Sequence, residues 1–566
     1  MLIGTASEDF KFNLLSGMRY VDKTDLLKTI LDGQSETTFF LRPRRFGKTL
    51  TLSMIHYFVE DTRDEQLNAE NRSLFQDLNI MKAGEKYTSQ MTSYPVIHLT
   101  MQTVKGETFE DAWDTLKAIL EDLYDENNCL LECGVLSERE KNYFLRILNG
   151  SDSSGRKATT TDYVRSLLYM TRFLTKYTGK RTVVLIDEYD VPLEHAYRQG
   201  YYNKMVSVIG PLLQNVLKTN TGNLRFAVIT GCLRIAEEQI YTGLNNPIVN
   251  TVLSRRGSDA IGFTEPEVIK LLDDCNLSDH FDDIRLWYDG YRFGDTKIYN
   301  PWSVLLCMAD LVEDEHASPL AHWANTSSNA IIRDLAEHAD RATKDKIEKA
   351  MLGEEICFTL RDSIVYDDLF SHPDNVLNVM LSAGYLTADF MEDGWIHARI
   401  PNKEVRQIYQ VQISDWFRDS LKSFDSQTMY AVMADGSAER LEEILTEEFL
   451  SAMSYFDTVE AFYHGIMLTL MQINQGFNCE SKRESGAGRF DIMAQRLAKR
   501  DLAFVLEVRI SDIQEHMAQD ASDAVMQIER NQYFQDLKRQ NYKRIVTYGI
   551  AFCGKRCCVR KGKVYE

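Results

Sequence analysis

The tripeptide Gly47-Lys48-Thr49 stands near the end of the stretch LRPRRFGKTL at residues 41–50. A turn that ends this way can wrap backbone N–H groups around a phosphate. The lysine then reaches the terminal phosphates and the hydroxyl holds Mg²⁺. The full pattern for such a loop, G-x-x-x-x-G-K-T, opens on glycine, and Arg42 stands in that place here. Phe46 precedes the closing glycine. Arg44 and Arg45 read equally as phosphate clamps or as salt-bridge partners between domains. The matching acids come from VVLIDEYD, where Asp187 ends an apolar run and can hold Mg²⁺ through water, while Glu188 can polarise an attacking water. In NLRFAVITG, Thr230 stands at the tip of another apolar run, placed to sense a γ-phosphate. Arg234 follows as a further contact or as an ordinary surface residue. The ligands implied are ATP and Mg²⁺.

A second set of candidates lies near the C-terminus. GRFDIMA (488–494) carries Asp491, and LAFVLEVRI (502–510) carries Glu507 and Arg509, which strand alternation puts on one face. Two acids on neighbouring strands can bind one Mg²⁺ through oxygen, and the metal then activates water against a phosphodiester. Upstream, VEAFYHGIML places Glu460 and His464 four residues apart on one helical face, so Glu460 could complete the metal site. Taken alone, an Asp and a Glu at this spacing describe a salt-bridged surface hairpin at least as well.

These residues need elements to hold them. ETTFFL (36–41) reads as a short buried strand leading into the loop, and LTLSMIHYFVED follows with helical spacing of apolar residues. YPVIHLT (94–100), KRTVVLIDEYD (180–190) and NLRFAVITG (223–231) are further strand candidates. Helices are expected around 107–125 and 160–178. Apolar runs of strand length alternating with helices indicate a parallel α/β sheet. From about 260 to 425 the chain reads as mostly helical with few strand runs. A polar, acidic helical stretch (434–457) leads to a last unit of helix, strands, helix and strand. The expected domains are 1–255, 256–430 and 431–566.

The composition excludes some classes. The chain of 566 residues is 44% hydrophobic and 26% charged, the profile of a globular protein too long for a single core. No run approaches the roughly 20 apolar residues of a membrane span, and MLIGTASEDFKF lacks a basic-then-apolar export signal. The ten cysteines form no CxxC pair, which fits reduced thiols and a cytoplasmic location. A net charge of −20 argues against indiscriminate nucleic-acid binding. Yet the stretch from Asp536 to Glu566 holds nine Lys or Arg against two acids, a solvated surface or a local contact for a phosphate backbone.

YVDKT (20–24), RPRRFGKTL (42–50), LIDEYD (185–190), ITGCLRIA (229–236) and TGLNN (242–246) together resemble the bacterial AAA-ATPase-like family. The resemblance runs on through WYDGYRFG (287–294), YNPWSV (299–304), WANTSSN (323–329) and IPNKEV (400–405), although WYDGY by itself reads as aromatic packing. The resemblance implies that RPRRFGKT is a family form of the phosphate loop. It also implies a P-loop ATPase domain, a helical lid of winged-helix character, and a C-terminal restriction-endonuclease-like domain of the PD-(D/E)XK nuclease superfamily. Asp491 and Glu507 would then be the metal acids, with Gln527 and Tyr533 on the helix that follows. The superfamily pattern wants Glu-x-Lys, and this chain has Glu507-Val508-Arg509. An arginine stays protonated where the lysine can deprotonate water. Two functions follow from the resemblance. One is an ATP-dependent, Mg²⁺-dependent nuclease acting on nucleic acid, DNA before RNA, in defence or mobile-element biology. The other is an ATP-gated regulatory or binding module with an inactive nuclease fold. No membrane is implied as a partner, and a homo-oligomer is compatible with either.

Overall fold

In a computed structural model of the chain, all residues are described other than 1–6, 34, 234–245, 326–334, 336–338, 352, 362–368, 370, 410–424, 453–462, 464–466, 469, 472–476, 482–483, 486–487, 490–491, 497–499, 554–555 and 566. The chain forms two compact units, residues 1–328 with 353–407, and residues 329–352 with 408–566. The stretch 256–430 is thus divided between them.

The first unit is built on a five-stranded parallel sheet. Its strands are β1 (Thr37–Leu41), β2 (Val96–Thr100), β3 (Thr182–Asp187), β4 (Leu224–Gly231) and β5 (Ile248–Asn250), in the order β2-β3-β4-β1-β5. All six residues of β3 are buried, as a central strand covered on both faces requires. The strands β1 to β4 fall within the runs expected from the sequence. The helix expected at 107–125 spans Phe109–Glu126, closed at its start by a reciprocal Thr108–Asp111 capping box. The one expected at 160–178 is two helices, Thr160–Val164 and Ser166–Thr178, broken at Arg165. Because every strand is parallel, the C-terminal ends of β1, β3 and β4 come out on one side. That is where ligands bind in sheets of this kind.

Beyond β5 the first unit is mainly helical, with short strands. Helices Glu265–Asp274, Phe281–Tyr288 and Pro301–Glu313 pack through Val268, Leu272, Ile284, Tyr288, Val304 and Met308. Strands β6 (Tyr291–Phe293) and β7 (Thr296–Ile298) form a hairpin. Strands β8 (Ile356–Thr359), β9 (Thr387–Glu392) and β10 (Trp395–Arg399) form an antiparallel sheet in the order β8-β10-β9, with helix Pro373–Ala383 between β8 and β9. These five strands span three to six residues, too short for alternation to declare them. Within WYDGY, Tyr288 and Tyr291 are buried. Gly290 (φ +102°) lies where a Cβ would be 1.9 Å from the Pro401 carbonyl oxygen, so this turn tolerates no side chain.

The second unit holds a mixed five-stranded sheet. Chain order gives β11 (Asn478–Ser481), a small pair β12 (Glu484–Ser485) and β13 (Gly488–Arg489), then β14 (Ile492–Gln495), β15 (Ala503–Ile510), β16 (Ile545–Cys553) and β17 (Arg556–Tyr565). The main sheet runs β11-β14-β15-β16-β17, antiparallel except for the parallel pair β15–β16. The crossover between those two carries helix Met517–Asn531. The helix presses so closely on the sheet that a Cβ at Gly549 would lie 2.2 Å from the Ala521 carbonyl oxygen. The single last strand expected from the sequence is two, β16 and β17. The basic tail forms the second, at the sheet's edge, with Arg556, Arg560, Lys561 and Lys563 exposed. Among the described residues, no helix is long and apolar enough to cross a membrane.

Candidate nucleotide site and nuclease-like site

The loop from β1 to helix Lys48–Val59 turns through two left-handed residues, Arg45 (φ 69°) and Gly47 (φ 92°). Gly47 accepts this freely, and Arg45 does so as a strained exception. Loop and helix start border a cavity of about 220 Å³ whose walls include Arg44, Arg45, Gly47, Lys48, Thr49 and Glu188. The helix N-terminus and Lys48 make this end of the cavity positive. Lys48 is buried, and its Nζ donates to the carbonyls of Arg42 (3.1 Å) and Pro43 (3.0 Å) and lies 3.5 Å from Cys232 Sγ. Burial pushes the Cys232 thiol up to about 11, so the lysine faces a neutral sulfur.

Behind Thr49 the sheet supplies a carboxylate. Thr49 Oγ1 donates to Asp187 Oδ2 at 2.6 Å, and Thr230 Oγ1 donates to Asp187 Oδ1. The topology makes this possible, because β4 lies between β1 and β3 and its tip falls between the loop and the acid. Glu188 follows in a left-handed turn (φ 51°), and burial pushes its carboxyl above the usual glutamate range. A strained residue with a raised carboxyl at a cavity is suited to accept a proton. Thr49 and Asp187 offer two hard oxygen donors within hydrogen-bond distance, a donor set that fits Mg²⁺.

Arg42, expected from its place in the loop to meet the nucleotide, is turned away from the cavity and fully buried. Its Nη1 donates to the carbonyls of Leu41 (3.1 Å) and Asn250 (2.9 Å), its Nη2 to that of Gly257 (3.2 Å), and its guanidinium lies 4.8 Å from the Phe293 ring centroid. Burial pulls it down to about 9, still charged at neutral pH. Arg44 pairs with Glu194 of helix Val191–Arg198 at 2.5 Å, and the exposed Arg45 lies over the Trp302 ring at 4.2 Å. Phe46 is buried edge-on against Tyr291 at 5.0 Å. Arg234 lies outside the described residues. Sequence reasoning missed Asp190, whose Oδ2 accepts from the N–H groups of Cys232 (2.8 Å) and Leu233 (2.9 Å) and so fixes the chain leaving β4. A Cβ at Gly231 would lie 2.7 Å from Asp190 Oδ1, which explains glycine at that step. The signal was available in the second aspartate of DEYD.

At the second set, Glu507 and Arg509 share the face of β15 that meets helix Met517–Asn531. Glu507 is 4% exposed, and Gln527 Nε2 donates to its Oε1. Arg509 Nη2 donates to Gln527 Oε1 at 2.8 Å, and its Nη1 lies 3.8 Å from Asp523 Oδ2. Two residues on, Ser511 Oγ donates to Asp520 Oδ2 at 2.6 Å. Tyr533 is buried beside Ile528 and Val505. Asp523 and Asp520 were not singled out from the sequence, since helical acids carry no motif of their own. Asp491, Glu460 and His464 lie outside the described residues.

Comparison with known proteins places names on both regions. Residues 4–241 match the model of the predicted AAA-ATPase family, and residues 458–562 match that of the PD-(D/E)XK nuclease superfamily. The chain joins an AAA-ATPase-like domain to a nuclease-superfamily domain. The nucleotide-site residues from Arg42 to Thr230 fall within the first match, and Glu507, Arg509 and Gln527 within the second. The chain is also similar to the uncharacterized protein in the vnfD 5′ region of Azotobacter chroococcum mcd 1. The two are 25% identical over 391 residues, covering 68% of this chain and 64% of that relative. The aligned part therefore spans less than two thirds of the relative's length.

Proposed function

We propose that the ATPase-like domain binds and hydrolyses ATP, and that this controls a Mg²⁺-dependent nuclease-like domain acting on nucleic acid, DNA before RNA. The observation that carries the first half is Asp187, buried behind Thr49, with Thr49 and Thr230 on its two oxygens and with Thr49 and Lys48 in the cavity wall. Lys48, Arg44 and Arg45 supply positive charge for the phosphates. Glu188 takes the proton from the attacking water, and its raised carboxyl brings it nearer the operating pH. Thr230 senses the terminal phosphate from the tip of β4. Mg²⁺, held by Thr49 and Asp187, would neutralise charge developing on the phosphates.

For the second half, Glu507 is the described member of the metal set, and Arg509 brings a fixed positive charge to the same face. The exposed cations of β17 suit a phosphate backbone. The proposal includes a cytoplasmic location, supported by the scattered cysteines without a CxxC pair, and, by family resemblance, a role in defence or mobile-element biology. The proposal also keeps the sequence reading of an ATPase part at 1–255, a lid at 256–430 and a nuclease-like part at 431–566.

A second reading is an ATP-gated binding module with an inactive nuclease fold. It is favoured by Arg509, which stands where the superfamily uses lysine and is already engaged by Gln527 and Asp523. The deciding experiment incubates purified protein with single- and double-stranded DNA and RNA, with and without ATP and Mg²⁺ or Mn²⁺. Metal-dependent cleavage lost on Glu507→Ala supports the nuclease. Salt-sensitive binding without cleavage supports the module.

A further inference from the structure

On the sheet β8-β10-β9, far in sequence from both sites, three side chains of different donor chemistry converge. Cys357 of β8 and His397 of β10 are direct register partners, and Glu355, two residues before Cys357, projects to the same face. His397 Nδ1 lies 2.6 Å from Glu355 Oε1 and 3.2 Å from Cys357 Sγ. One donor atom from each residue lies within 4.8 Å of the others. Phe390 of β9 stacks on the imidazole at 4.0 Å between centroids, with an interplanar angle of 15°, which sets the plane of the ring.

The arrangement asks for more than an ion pair. The glutamate side chain is 44% exposed, and a Glu–His pair at such a site contributes little stability and needs no thiol. Cysteine, meanwhile, is among the residue types most often buried, yet Cys357 is exposed here beside two other metal-ligating groups.

We propose that Glu355, Cys357 and His397 bind a divalent transition-metal ion, zinc by its donor preference. Thiolate, imidazole and carboxylate together suit zinc, whereas magnesium and calcium take oxygen ligands. The spacing also fits. A tetrahedral zinc with bonds of about 2.1 Å to nitrogen and oxygen and about 2.3 Å to sulfur sets N···O at ~3.4 Å and N···S at ~3.6 Å. From the distances above, Cys357 and His397 need to part by only ~0.4 Å. Glu355 must withdraw by ~0.8 Å, which its exposed side chain can do by rotation. The ion takes the place of the Glu355–His397 hydrogen bond. Three protein ligands leave the fourth position to solvent, so the site is open. Its structural effect is to cross-link β8, a strand of only four residues, to β10.

The test uses the full chain, stripped of metal with chelator and kept free of nucleotide, and titrated with Co²⁺ and then Zn²⁺. One equivalent of Co²⁺ is expected to give a thiolate-to-cobalt charge-transfer band with tetrahedral ligand-field bands, both removed by Zn²⁺ and untouched by excess Mg²⁺. Cys357→Ser, at an exposed position that keeps the fold, should abolish the charge-transfer band, which separates this thiol from the chain's other cysteines. His397→Ala and Glu355→Gln should each weaken zinc binding by at least about tenfold. Zinc should raise the melting temperature of the wild-type protein and not of Cys357→Ser. The proposal is overturned if stoichiometric cobalt gives no thiolate band, if the band survives in Cys357→Ser, or if the three variants bind zinc as tightly as the wild-type protein.

Discussion

Two arginines stand where a motif wants another residue, and they behave differently. Arg42 occupies the place of a phosphate loop's first glycine, yet it is fully buried, faces away from the cavity and ties Leu41, Asn250 and Gly257 together through their carbonyls. Arg509 occupies the place of the superfamily's lysine and lies on the face that carries Glu507, held through Gln527. The first substitution is absorbed by the scaffold. The second stands on the face where the chemistry is proposed. A departure from a motif therefore has to be judged by where the side chain goes.

Five variants at four positions sharpen that contrast. The largest effect is expected at the intact site. Glu188→Gln should keep ATP bound but slow hydrolysis by about 10²–10⁴-fold, the usual contribution of a positioned base. Hydrolysis at the wild-type rate would remove Glu188 from that role. The same residue sets a pH dependence. Its folded-state carboxyl is raised, so the ionised, active form is lost as pH falls through a value above the ordinary glutamate range, and the acid limb of the rate profile should lie correspondingly high.

Next comes Arg42→Gly, which restores the motif's glycine. It leaves three carbonyls without their donor and opens a cavity, a cost of about 3–5 kcal/mol, with no gain in ATP affinity. A melting curve and calorimetry on one preparation read both; an unchanged melting temperature would show that Arg42 is not a strut. Lys48→Ala should cost about 1.5–3 kcal/mol of ATP binding, roughly 10–100-fold in Kd, with the fold retained. An unchanged Kd would break the nucleotide assignment.

The smallest effect is expected at Arg509. Arg509→Lys and Arg509→Ala should each change stability by no more than about 1 kcal/mol, because the Asp523 pair is long and partly exposed. Their effect on cleavage carries the information: if wild-type protein cleaves, lysine should match or exceed it and alanine should fall below it. Alanine at the wild-type rate would place Arg509 outside the chemistry and end the contrast with Arg42.

The sequence alone determined the elements with strong local signals. Apolar runs of strand length gave β1 to β4, and Gly-Lys-Thr between a strand and a helix marked the loop. Alternation was enough to put Glu507 and Arg509 on one face, because side chains two apart on a strand must share it. The short strands β6 to β10 were not legible, since a few residues carry no period, and neither was the edge strand β17, whose basic surface masked its register with β16. What tertiary structure decided was direction and partnership across long separations. That Arg42 turns inward, that Asp190 secures the chain after β4, that Gln527 joins Glu507 to Arg509, and that Glu355 and Cys357 meet His397 all depend on sheet order and helix placement. Local sequence fixes which face a side chain takes on its own element; only packing determines what that face meets.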